Sequence, residues 1–108
     1  MRVLLDACLP QRLRFSILGH QVESARFAGV DGLLDDRMLR AIGGRFDVLV
    51  TVDSSMPHQQ NLAGHPFAII VLRAVSNRLP DLLPLVPALL QALEDVKPGE
   101  VREVGGDP

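Results

Sequence analysis

The chain has no tryptophan, no tyrosine and four phenylalanines in 108 residues. Its core must therefore be aliphatic, built from Leu, Val, Ile and Ala. Cys8 is the one cysteine, which excludes an intrachain disulfide and fits a reducing compartment. Lys97 is the one lysine, so the positive charge is nearly all arginine, the side chain suited to bidentate contacts with phosphate or carboxylate. That charge is not in excess. The formal net charge of -2 excludes the strongly basic surface of a protein that coats nucleic acid non-specifically. Long hydrophobic runs are missing too. "LLPLVPALLQALEDV" is shorter than the roughly 20 residues of a membrane span and carries prolines. The apolar run before Asp6 is too short for the core of a secretory leader. A soluble cytoplasmic protein is the expectation. What is present is 47% hydrophobic residues, which excludes general disorder. At this length the chain reads as one domain, residues 1–105, with 106–108 as a frayed tail. Such a domain buries roughly two thirds of its unfolded surface, enough for a core without staples.

Hydrophobic patterning orders the chain as β-α-β-α-β-β-α-β. "RVLL" (2–5) is a short apolar run that stops at Asp6 and reads as a buried strand. "PQRLRFSIL" follows as a helix, with Pro10 in its first turn and Gly19 as its stop. "HQVESA" (20–25) reads as a second strand. Leu34, Met38, Leu39 and Ile42 recur at helical spacing, with Asp35 and Asp36 at the helix start, where acids are favoured. "DVLVTV" (47–52) and "FAIIVLR" (67–73) are the clearest strands. "LPDLLPLVPALLQALEDV" reads as a last helix that Pro87 breaks or kinks, with Asn77 as its N-cap. "EVREV" (100–104) alternates as an edge strand. Near-continuous apolar strands are expected where both sheet faces are covered. The pattern therefore predicts a three-layer α/β/α sandwich with a mostly parallel central sheet and right-handed crossovers.

Two of these strands end on acids, "LLD" at Asp6 and "TVD" at Asp53. Parallel strands bring both to one sheet edge, where open α/β sheets bind ligands. Carboxylates that share a cleft repel, so they take up a proton or bind a cation. All-oxygen ligation suits Mg²⁺ or Mn²⁺, and such a cation can activate water against a phosphodiester. Single strand-end acids also serve as turn-formers and caps, and the pair Asp35–Asp36 reads equally as N-cap chemistry. A phospho-receiver domain fits poorly, because "DAC" lacks a second acid and Lys97 follows a helix. His20, His58 and His65 have no zinc spacing with Cys8. Cys8 reads as packed or as capping the first helix rather than as a nucleophile.

The blocks "LLDACLPQRL", "GHQV", "DVLVTVDSSMPHQQNLAG", "AIIVLRAVSNRLPDLLPLVPALLQAL" and "PGEV" together resemble a family of short prokaryotic PIN-like proteins. These are grouped with PIN-domain nucleases that include the toxins of toxin–antitoxin pairs. The resemblance covers nearly the whole chain. It implies a PIN-like sandwich whose cleft of acids, Asp6, Asp53 and Asp35 (alternatively Asp36), binds Mg²⁺ or Mn²⁺ and hydrolyses RNA. Ser54, Ser55, Gln59, Gln60, Asn61 and Arg78 are the candidates for substrate contacts. An antitoxin-type protein and a second copy of the chain are the candidate partners. The chain departs from the pattern at Ala7, His58 and Ser55; at 7 and 55 fuller centres carry acids. The alternative is therefore a catalytically depleted PIN-like module that binds a protein or RNA.

Overall fold

The computed structural model describes residues 1–25, 45–53 and 67–105. Five strands, β1 (Arg2–Leu5), β2 (Gln21–Ser24), β3 (Val48–Thr51), β4 (Ala68–Arg73) and β5 (Val101–Gly105), form one sheet in the order β2-β1-β3-β4-β5. Every neighbouring pair is parallel. The chain has an α/β fold with an all-parallel sheet, and each strand lies within a residue or two of its predicted span. The expected helix that starts near Asp35 lies outside the described residues.

Strand burial explains the apolar runs. Val3, Leu5, Val48, Val50, Ala68, Ile70 and Leu72 project to one face and belong to the main core. Leu4, Leu49, Ile69 and Val71 project to the other and are as fully buried. A strand enclosed on both sides has no position that tolerates a charge, so period-two alternation is lost. β5, at the end of the sheet, keeps the alternation, with Val104 buried between exposed neighbours.

One helical segment departs from expectation and another follows it. The segment after β1 is a 3-10 helix, Gln11–Ser16, rather than an α-helix. Leu13 alone in it is fully buried, and no side chain caps it. The last helix is divided into α1 (Leu79–Leu82), a 3-10 turn (Leu83–Leu85) and α2 (Val86–Asp95). Pro87 has no N–H for the Leu83 carbonyl, so the helix restarts with Pro87 in its first turn, where the missing donor is harmless. The kink expected at Pro87 is realised just before it.

Leu9, Leu13 and Ile17 from the β1–β2 connection share one core cluster with Leu82, Leu89 and Leu93 from the β4–β5 connection. The two connections therefore lie over the same sheet face. β2 lies to one side of β1 and β5 to the other side of β4. Two crossovers that leave in opposite directions over one face have opposite hands. The right-handed expectation holds for only one of them. Among the described residues no helix is long and apolar enough to cross a membrane.

Candidate functional site

The strand order turns back at β1 and β3, which are adjacent and parallel in register Leu5↔Val50. The Asp6 amide extends that ladder by donating to the Val50 carbonyl at 2.9 Å. This sets Asp6 beside Thr51, the last residue of β3. Asp6 is 5% exposed and Thr51 fully buried. A buried hydroxyl needs an acceptor, and Thr51 Oγ1 donates to Asp6 Oδ2 at 2.7 Å. The other carboxylate oxygen, Oδ1, accepts the Ala7 amide at 2.7 Å.

Having donated to Asp6, Thr51 Oγ1 keeps its lone pairs. One accepts the Asp53 amide at 3.0 Å. The Cys8 thiol lies 3.7 Å from the same oxygen. One hydroxyl thus joins the buried acid that ends β1 to the exposed acid two residues beyond β3. It does so through the backbone of Asp53 rather than its carboxylate.

Asp6 is held by neutral donors alone; among the described residues no cationic side chain pairs with it. A buried carboxylate without a counter-charge is a costly arrangement. A hard divalent cation fits that deficit and the oxygen-only donor set. Asp6 and Asp53 would supply carboxylate oxygens to it. Among the described residues no group of three His, Cys, Asp or Glu side chains converges. The third expected acid, Asp35 or Asp36, lies outside the described residues. So do Ser54, Ser55, Gln59, Gln60 and Asn61.

Cys8 is half-buried and packs against the core. Burial pushes its thiol above the ordinary value; the Val52 amide offsets part of the rise and the negative charge of Asp6 adds to it. A thiol kept protonated is a poor nucleophile, in line with the packing role expected for it.

A third loop closes on the same edge. The Asn77 side-chain amide donates to the Cys8 carbonyl at 2.9 Å, tying the turn after β4 to the turn after β1. Asn77 is therefore not the N-cap it was expected to be. The first-turn interaction of α1 comes from Ser76, whose hydroxyl accepts the Arg78 amide and donates to Asp81. Arg78 occupies the cap position, exposed, with no side-chain partner among the described residues. Beside these loops lies an open cleft of about 430 Å³, lined by Val52, Leu72, Ala74, Ser76 and Asn77 among others.

Asp6 and Asp53 are thus brought to one edge as expected. Thr51 and Asn77 were read from the sequence as a β-branched strand former and a cap, and both prove to tie the site together. The signal for Thr51 was present. It is the one hydroxyl in an aliphatic run, two residues before an acid, and a buried hydroxyl must be satisfied. Asn77 carried no such signal, because its partner is a backbone carbonyl 69 positions away. No protein-family model, no curated protein and no solved structure matches the chain.

Proposed function

We propose that the chain is a metal-dependent ribonuclease of PIN-like type, a three-layer domain in which Asp6 and Asp53 hold Mg²⁺ or Mn²⁺. Asp35, or alternatively Asp36, completes the set. The observation that carries this reading is the buried Asp6 carboxylate, held by Thr51 and Ala7 with no cationic partner among the described residues, one strand from the exposed Asp53. A divalent cation held there supplies charge to offset the phosphodiester as it is cleaved, and acidity to a nearby water. The hydroxyl of Thr51 and the amide of Ala7 fix the orientation of Asp6, so the carboxylate meets its ligand without reorganisation. Ser54 or Ser55 orients a water. Gln59, Gln60, Asn61 and Arg78 contact the RNA. The same reading makes the protein a cytoplasmic toxin-type component, a homodimer controlled by an antitoxin-type protein.

A second reading has its own support. Both Asp6 oxygens already accept hydrogen bonds, and Ala7 places no second acid beside them. A PIN-like module that binds a protein or RNA without cleaving it fits those facts. Thermal unfolding with and without Mn²⁺ separates the two, because a ligand that binds the native state raises its stability. The gain is about 2.7 kcal/mol at a hundredfold excess over Kd. The ribonuclease reading expects a raised Tm in the natural chain, no rise in Asp53→Asn or Asp6→Asn, and Mn²⁺-dependent cleavage of an RNA pool. A rise without cleavage selects the binding module. No rise and no cleavage removes the metal site altogether.

A further inference from the structure

β5 is an edge strand, and its outer side is open. The Ile69 amide of β4 donates to the Glu100 carbonyl at 2.9 Å, in register Ile69↔Val101. In a parallel ladder the N–H and C=O of one residue turn to the same neighbour, and those of the next residue turn away. The backbone groups of Arg102 and Val104 therefore face β4. Those of Val101 and Glu103 face outward, and among the described residues no backbone group pairs with them there. Val101 is 41% exposed, and Glu103 is exposed as well. Gly105 takes φ +89°, outside the extended region, so the free edge ends at Glu103. The other edge of the sheet differs, because β2 ends on Ser24 and is followed by Ala25, both buried.

The side chains beside the free edge have their own pattern. Val104 joins the core beneath α2, so Arg102 and Glu100 share its face of the sheet while Val101 and Glu103 lie on the other. Arg102 is engaged by Glu100 at 2.7 Å, and Glu103 by Arg73 at 3.1 Å. Between Arg102 and α2 runs a groove of about 280 Å³, whose helical wall is Ala88, Gln91, Ala92 and Asp95. The two alanines keep that wall low. Asp95 is exposed and has no ionic partner among the described residues. The groove therefore holds one acid more than its base can match, beside a strand with free backbone donors and acceptors. It suits an extended segment that carries an arginine toward α2.

We infer that this edge pairs antiparallel with β5 of a second copy of the chain, giving one continuous sheet across a two-fold axis. With Arg102 at the axis, Val101 of each copy lies opposite Glu103 of the other. Both residues have their backbone groups turned outward, so each such pair exchanges both N–H···O=C bonds. Arg102 of the second copy then lies on the α2 side, diagonal to Glu100 and within the groove that Asp95 lines. The two arginines at the axis are flanked by Glu100 and Asp95 from both copies, so acids separate the like charges. The strand thus carries the arginine that its own groove lacks, and this selects a second copy over an unrelated peptide. With the β2 end buried, the pairing closes as a dimer and does not extend into a fibre. The inference rests on the homodimer of the reading above and assigns it a surface; the metal site plays no part.

Sedimentation equilibrium of the full chain in EDTA, over a wide range of concentration, tests this. The mass should rise from 11.8 kDa toward twice that value. Glu103→Pro removes an outward N–H and no bond within the chain, a change that an edge strand accepts. It should remain a folded monomer by circular dichroism and sedimentation. Glu103→Ala loses the contact with Arg73 but keeps the amide, and it should still dimerise. Amide hydrogen exchange provides a second measurement on the natural chain. Val101 and Glu103 should exchange more slowly as concentration rises, while Arg102 and Val104, bonded to β4, stay protected throughout. If Glu103→Pro does not fold, the exchange comparison decides alone. A dimer that survives in folded Glu103→Pro, or Val101 and Glu103 amides that exchange equally fast in monomer and dimer, overturns this surface and keeps the homodimer. A natural chain that stays monomeric at every concentration removes the surface and the homodimer together. The Mn²⁺-dependent rise in Tm and the RNA cleavage described above judge the nuclease separately.

Discussion

Replacing Thr51 by valine keeps the shape of the side chain and deletes the hydroxyl on which the site is built. Two hydrogen bonds go with it, the 2.7 Å bond to Asp6 Oδ2 and the 3.0 Å bond from the Asp53 amide. Their losses are unequal. Asp53 is exposed, so its amide finds water. Asp6 is buried, so its Oδ2 loses a donor that solvent cannot replace. A hydrogen bond to a charged group contributes about 1.5–3 kcal/mol, and stranding a buried partner costs about as much. The added methyl returns about 0.8 kcal/mol of burial at most. We therefore expect Thr51→Val to destabilise the fold by about 2 kcal/mol near neutral pH. For a domain of this length that is a fall in Tm of roughly 10 °C. Thr51→Ser is the control: it keeps the hydroxyl and deletes the methyl, at a cost of about 1 kcal/mol. Urea unfolding at pH 7, followed by circular dichroism, measures both. If valine is tolerated as well as serine or better, the hydroxyl is not what holds Asp6, and the account of the site given above is wrong.

Gly105 takes φ +89°, and an added Cβ would stand 2.8 Å from the Arg73 carbonyl and 2.6 Å from Leu85 Cδ2. Gly99 takes a similar φ of +83° with open space around it. Both changes to alanine carry the left-handed penalty of about 1–2 kcal/mol, but Gly105→Ala adds overpacking of about 1–3 kcal/mol. The order of their melting temperatures checks this, and equal losses would contradict it. At the opposite edge of the sheet, the Arg2 amide donates to Asp47 Oδ2 at 2.8 Å and its guanidinium lies 3.4 Å from Oδ1. The amide hydrogen bond, and with it the arginine charge, holds the Asp47 carboxyl below the ordinary carboxylate value. A lowered folded-state value stabilises above the unfolded pKa, and that contribution disappears as pH falls through the folded one. The Asp47 side chain is 41% exposed, so screening limits the effect to less than about 1 kcal/mol. Asp47→Asn should therefore be less stable than the natural chain at pH 6, and the difference should shrink as the pH is lowered to 2, by urea unfolding at both.

Local chemistry made the strands legible. Runs such as "VLVT" and "AIIVL" cannot be placed on a half-exposed surface, so burial on both faces followed from composition. The acid after each of β1 and β3 was legible for the same reason, since a charge ends a run that must stay dry. The division of the last helix was foreshadowed by Pro87, whose missing donor acts on the residue four before it. The segment after β1 was less legible. Its stripe of Leu13 and Ile17 suits an α-helix, but one fully buried side chain in six residues does not repay α-helical order, and a 3-10 segment results.

The amino-acid sequence by itself determined which segments become strands, that they lie in a parallel sheet, and that Asp6 and Asp53 stand at strand ends. These depend on side-chain period, on β-branching and on the need to keep charge out of the interior, all read within a few residues. The tertiary structure alone decided that β1 and β3 are neighbours, that two crossovers of opposite hand share one face, and that Thr51 holds Asp6 while accepting the Asp53 amide. It also decided that Asn77 reaches Cys8. Each of these is a pairing across tens of residues, settled by which packed arrangement satisfies every buried polar group at once. No local pattern records that choice.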